Sequence, residues 1–244
     1  MTPGQIALAA AVVLLGATVQ RAIGLGLGLV TVPVLALLVP ERMPQTLLLL
    51  ALPLLAGLAW HERSALRSGG IGWVLVGRVA GAWAGGPMIA GLGPRALQAV
   101  FGTATLVAVA LLSIPRVTVP LTRTTQLAAG TASGVMGTVS AMAGPPLALL
   151  YADLDAARLR ATVSLIFLVG NVVGIVSLGV SGRLTLADFA LAGGLLLPLA
   201  IGYGIGARLA GRLPPGTVRP IVIGLAGFGA VVLLTRAALG VAPS

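Results

Sequence analysis

GTASGVMGTVSAMAGPPLALLY, residues 130–151, sits in an apolar run too long for one membrane crossing, yet Gly134, Gly137 and Gly144 interrupt it and Pro145-Pro146 follows. Glycine frees the backbone, while proline removes an amide donor and clashes with the preceding turn. The stretch therefore predicts two helical arms joined by an irregular tip. Unpaired amides and carbonyls are costly in lipid, so such a tip must be buried in protein or line a polar cavity. A second copy lies upstream. Ala22 to Leu38, AIGLGLGLVTVPVLALL, laid without gaps on Gly134 to Leu150, puts Pro33 on Pro145 and Leu35-Ala36-Leu37-Leu38 on Leu147-Ala148-Leu149-Leu150. Paired interrupted helices in corresponding halves point to the binding site of a secondary transporter.

Composition sets the class. With 58% hydrophobic and 8% charged residues and a mean hydropathy of +1.10, the chain reads as an all-α integral membrane protein. It has no cysteine, which excludes disulfides, thiolate metal sites and cysteine nucleophiles. The net charge of +10 comes from arginine alone. Those arginines are scattered between apolar runs as topology-fixing loop charges are, so no nucleic-acid partner is expected. No cofactor or metal is implied. The N-terminus lacks a basic region before its apolar run, so Gln5 to Val19 is read as part of the mature protein.

Taken in order, a broken segment from about Gln5 to Val39 is followed by apolar segments at Thr46–Trp60, Ile71–Leu92 and Ala96–Ile114. A second broken segment at about Thr125–Tyr151 is followed by spans at Thr162–Val180, Phe189–Ala207 and Pro220–Leu234. Gly81, Gly85, Leu92 and Pro94 fall on Gly202, Gly206, Leu213 and Pro215 at an offset of 121 rather than 112, which extends the repeat. The expected division is 1–118 and 119–244, one repeat each. Arginine placement then bears on topology. If each broken segment is a re-entrant hairpin, one side receives nine loop arginines and the other four (Arg42, Arg95, Arg183 and Arg236). If both segments cross, the split is six against seven. The rule that cytoplasmic loops are basic favours the hairpins. The predicted fold is thus two inverted repeats, each a broken re-entrant helical hairpin plus three transmembrane helices, with both termini outside.

The patterns VQRAIGLGLGLVTVPVLALL at Val19–Leu38 and GTASGVMGTVSAMAGPPLALLY resemble the sulfite exporter TauE/SafE family, bacterial membrane proteins built from two homologous halves. The similarity covers essentially the whole chain, including GRVAGAWAGG at Gly77–Gly86, although Arg21-Ala22 departs from the family's pattern. The resemblance implies a transporter of small sulfur-containing anions such as sulfite or a sulfonate, in the bacterial inner membrane, and leaves homo-oligomerisation open.

Candidate binding residues follow from the breaks and from polar groups at depth. Arg78 lies inside the Ile71–Leu92 span. A charge there costs about 2.5–3.5 kcal/mol on insertion scales. It serves either as a cationic partner for a sulfite or sulfonate oxygen or as a snorkelling group or partner of backbone carbonyls. Arg21, before the first break, is either a cavity cation or an interfacial anchor. Gly26, Gly28, Thr31 and Pro33 in the first break, with Ser133, Thr138, Ser140, Gly144 and Pro145 in the second, could present amides, hydroxyls and helix N-termini to an anion. Their alternative role is close helix packing. Asn171 in mid-span suits interhelical hydrogen bonding or the site. His61 reads as surface, and no acidic residue falls in mid-span. An enzyme would need a convergent acid, base or nucleophile set, which this inventory lacks. A non-transporting membrane subunit would have no use for paired broken helices.

Overall fold

A computed structural model describes residues 1–66, 71–114, 119–210, 212 and 218–239. Arg67, Arg116, the Pro214-Pro215 turn with Leu213, and the boundary between the two expected repeats lie outside the described residues, as does the side chain of Arg219. The described residues are helical with no strand. Four helices among them are long and apolar enough to cross a membrane: α1 (Pro3–Ile23), α5 (Pro94–Ser113), α8 (Ala156–Val180) and most of α11 (Val218–Leu239). Large apolar side chains such as Val176, Leu197, Ile221 and Phe228 are exposed. That arrangement is unfavourable in water and ordinary against lipid tails.

Both breaks are tight chain reversals. α1 begins with a capping box, in which Gln5 N donates to Thr2 Oγ1 and Thr2 N donates to Gln5 Oε1 at 2.8 Å. It ends at Gly24, whose φ of +88° is a left-handed value that favours glycine. The chain restarts as α2 (Leu27–Leu38), antiparallel to the end of α1: a Cβ on Gly16 would lie 3.1 Å from the Leu27 carbonyl oxygen. In the second half, α6 (Arg123–Ser140) stops at Ala141, φ +57°, and α7 (Gly144–Leu150) folds back. Ser133 Oγ donates to the Ala143 carbonyl at 2.7 Å and closes this second turn.

Several expected boundaries are corrected. Gln20-Arg21 continues α1, so the first arm runs past the Gln5–Val19 apolar stretch to Ile23. Gly134 and Gly137 do not break α6; the break falls only at 141–143, ahead of Pro145-Pro146. The expected span at Phe189–Ala207 is two helices, α9 (Leu186–Gly194) and α10 (Leu196–Leu209), bent by 45°. Pro198 has no amide to offer the Gly194 carbonyl, and Gly193-Gly194 weakens the same turn. α4 (Gly72–Ile89), expected as a span, is not among the four because glycines and Arg78 lower its hydropathy.

Two ends of the bundle can be told apart. α3 (Gln45–His61) and α8 lie antiparallel, so that Gln45 meets Arg183 at one end, where its Nε2 donates to the Arg183 carbonyl at 3.0 Å. Glu62 meets Arg160 at the other, at 2.9 Å. Arg42 pairs with Asp188 at 3.5 Å beside Arg183, whose Nη1 donates to the Leu92 carbonyl. Arg95 donates to the carbonyls of Ala237 and Ala238, next to Arg236. The opposite end holds Arg63, Arg160 and Arg158 near Glu62, Arg123 over Trp73, and Arg208 at the close of α10, which runs parallel to α1 toward Arg21. The α1–α2 hairpin opens toward the Arg42 end, and the α6–α7 hairpin opens toward the Arg123 end.

Glycine faces set the closest packing. α4 and α6 make the most extensive contact: a Cβ on Gly81 would collide with the Thr131 carbonyl, and one on Gly134 would lie 2.6 Å from Ala82 N. Gly227 of α11 has open space instead. Gly81→Ala is expected to lower the thermal midpoint of the detergent-purified protein, at about 1–3 kcal/mol for overpacking. Gly227→Ala is expected to leave that midpoint unchanged or raised.

Candidate functional site

The two reversals meet. A Cβ on Gly28 would collide with the Ala141 carbonyl, and one on Gly144 would lie 2.9 Å from Leu25 Cδ2, so each tip covers the other's exposed backbone. Beside this contact is a cavity of about 50 Å³. One water needs about 10–15 Å³ on this scale, so the space suits a few waters or one compact ion. Its wall comes from α1 (Gln20), from the first tip and the start of α2 (residues 25–29), from the second tip (Gly137 and 141–145), from α3 (Leu47, Leu48, Ala51, Leu54 and Leu55) and from α8 (Phe167 and Asn171). The lining is mostly apolar, with two side-chain amides and the main chain of both tips as its polar groups.

Gln20 was not foreseen, and it secures the first tip. Its Nε2 donates to the Gly24 carbonyl at 2.7 Å and its Oε1 accepts from Leu27 N at 3.1 Å, so one buried amide bridges the gap from α1 to α2. A polar residue one position before an arginine at a glycine break could have flagged it. Phe167 and the α3 face carry no sequence signal, because an apolar residue that lines a cavity reads the same as one in a core.

Of the residues singled out from sequence, Gly26, Gly28, Gly144, Pro145 and Asn171 line the cavity. The others are elsewhere. Thr31 hydrogen-bonds back to the Leu27 carbonyl, and Ser140 Oγ donates to the Met136 carbonyl at 2.7 Å. Pro33 packs against Gly229 of α11. Ser133 is spent on the Ala143 carbonyl, and Thr138, buried between Gly85 and Gly174, has no partner for its Oγ1. Arg21 pairs with Glu62 at 3.4 Å and stacks on Tyr203 at 5.4 Å. Arg78 is fully buried, with Nη1 on the Ser133 carbonyl and Nη2 3.4 Å from Asn171 Oδ1. Neither arginine is in the cavity wall.

A multi-pass helical membrane protein with two broken helices meeting at a small cavity has the form of a transport protein, since irregular backbone survives at membrane depth only where protein or a cavity covers it. The family comparison agrees: the model described as "Sulfite exporter TauE/SafE" matches residues 8–233, and the chain belongs to that family. Membership implies a membrane transporter of sulfur-containing anions. No curated protein and no solved structure gave a significant match.

Losing the Gln20 bridge leaves one carbonyl and one amide unpaired inside the protein. Gln20→Leu is expected to lower stability by about 1–3 kcal/mol per orphaned group, read as a fall in the detergent melting midpoint. Gln20→Glu, which accepts from Leu27 N and as the neutral acid donates to the Gly24 carbonyl, should fall less at acidic pH and lose that advantage once it ionises.

Proposed function

We propose that this protein exports a compact sulfur oxyanion such as sulfite across the bacterial inner membrane, by alternating exposure of the cavity between two inverted repeats, 1–118 and 119–244. The observation that carries this reading is the meeting of the two reversed tips beside a cavity of about 50 Å³. The N-terminal turn of α2 lies in the wall, so partial positive charge faces the bound ion, and the amides of Gln20 and Asn171 are at hand. The size favours sulfite over taurine or sulfoacetate, whose carbon stems need more room. None of the lining residues is titratable, which supports transport rather than chemistry.

The two hairpins open toward opposite ends, which supports inversion of the two halves. The Arg42 end holds the four-arginine side of the sequence-derived split, and we assign it to the outside together with both termini. An inside-negative potential then favours anion export by about 2.3 kcal/mol per charge per 100 mV. The membrane itself and the small anion are the partners this reading requires.

Ion pairs join the halves at both ends. Glu62 of the first half accepts from Arg160 of the second, and Arg42 of the first pairs with Asp188 of the second. Because α3 and α8 pass between these pairs and supply part of the cavity wall, we assign the pairs as latches that close the cavity on either face. Opening one face breaks one latch.

Protein in liposomes should carry sulfite down its gradient, with empty vesicles as the control. Sulfite should raise the melting midpoint more than taurine does, since a ligand at 100 times its Kd stabilises by about 2.7 kcal/mol. No flux and no shift with any sulfur anion would remove the transporter mechanism. The chain lacks cysteine, so Ala51→Cys in the cavity wall is a single-site reporter. In that background Glu62→Gln should speed labelling by an impermeant maleimide several-fold from the inner face only, and Asp188→Asn from the outer face only.

A further inference from the structure

Arg78 is fully buried, and among the described residues no carboxylate pairs with it. Its guanidinium binds neutral groups only. Nη1 donates to the Ser133 carbonyl and lies 3.4 Å from Ser133 Oγ, Nη2 reaches Asn171 Oδ1, the ring of Phe167 is 5.8 Å away, and Nε has no partner. The space for this head group is built in from two helices. A Cβ on Gly137 of α6 would collide with Nη1, and one on Gly170 of α8 would collide with Nε. Three of the residues around the guanidinium, Gly137, Phe167 and Asn171, also line the cavity, so one layer of protein separates the charge from the space.

Asn171 links the two. Its Oδ1 faces Arg78, which turns Nδ2 the other way, toward the Leu48 carbonyl at 3.5 Å, a distance at the outer limit of a hydrogen bond. Leu48 is itself part of the cavity wall. The amide donor therefore sits at the cavity with little of its capacity used.

We propose that Arg78 is the charge-selecting and positioning residue of the anion site: it acts from behind the wall, its uncompensated charge favouring an anion in the cavity and its bond to Oδ1 aiming the Asn171 amide donor at that anion. In a low-dielectric interior an uncompensated charge acts across a side-chain layer with little screening. Contact is not required, so the substrate keeps its mobility while cations are rejected. This inference rests on the anion-carrier reading. The competing role, a staple joining α4, α6 and α8, would also make Arg78 indispensable to the fold, so simple loss of the arginine does not separate the two.

Asn171→Asp separates them when read against Asn171→Leu, which loses the amide donor but leaves the Arg78 charge: a carboxylate at Oδ1 pairs with the guanidinium, keeps the staple and cancels the charge, so its loss of anion binding must exceed that of Asn171→Leu. The full-length protein in nanodiscs is titrated with sulfite, with sulfate as a dianion and with methanesulfonate as a monoanion. Asn171→Asp is expected to melt at or above the wild-type temperature without ligand, yet to bind sulfite at least tenfold more weakly, with the larger loss for sulfate. Arg78→Lys, which keeps the charge and loses the fork, is expected to retain anion binding to within tenfold and to carry the test should Asn171→Asp not fold. Wild-type affinity in folded Asn171→Asp, an equal loss for mono- and dianion, or a folded Arg78→Lys that no longer binds anions would each overturn the proposal while leaving the carrier reading in place. A wild-type protein that binds none of the three would end both.

Discussion

The contact between the tips, Gly28 against the Ala141 carbonyl and Gly144 against Leu25, is what the rest of the structure depends on. Helix breaks leave main-chain donors and acceptors outside the regular ladder, and lipid offers nothing to receive them. Either tip alone would be untenable at depth. Together, with Gln20 bridging one gap and Ser133 closing the other, they cover one another and leave a small space beside them. The cavity is thus a by-product of solving a backbone problem twice.

The same economy explains why small residues crowd the interior. Helices α4 and α6 approach until a methyl group on Gly81 or Gly134 would overlap the neighbouring backbone, which brings Arg78 within reach of Ser133. Gly137 and Gly170 then leave room for the guanidinium itself. A buried cation bound only to neutral oxygens is less favourable than one beside a carboxylate, and that cost is why we assign Arg78 a role beyond packing. Closed carriers need connections that can be undone. In the proposed cycle Arg42–Asp188 and Glu62–Arg160 are those connections, ionic and joining residues far apart in the sequence.

Much of the architecture was legible beforehand. Glycine followed by proline in two matched apolar segments located both reversals to within a few residues, because those two residue types act on the backbone locally. Where the reading went astray, the cause was tertiary. Gly134 and Gly137 look like helix breakers and are in fact clearances for α4 and for Arg78. The bend at Leu195 was hidden because Pro198 and Gly193-Gly194 sit in a stretch whose hydropathy suits one straight span.

Class, paired breaks and the need for a covered site follow from sequence alone, since hydropathy and backbone chemistry are properties of short segments. Which polar groups reach the cavity depended on how the helices turn about one another. Thr31 and Ser140 are consumed by their own helices, Arg21 is drawn off by Glu62, and Arg78 stands behind Asn171. A side chain's partner is fixed by rotation and approach across long sequence separations, and those quantities exist only once the chain is folded.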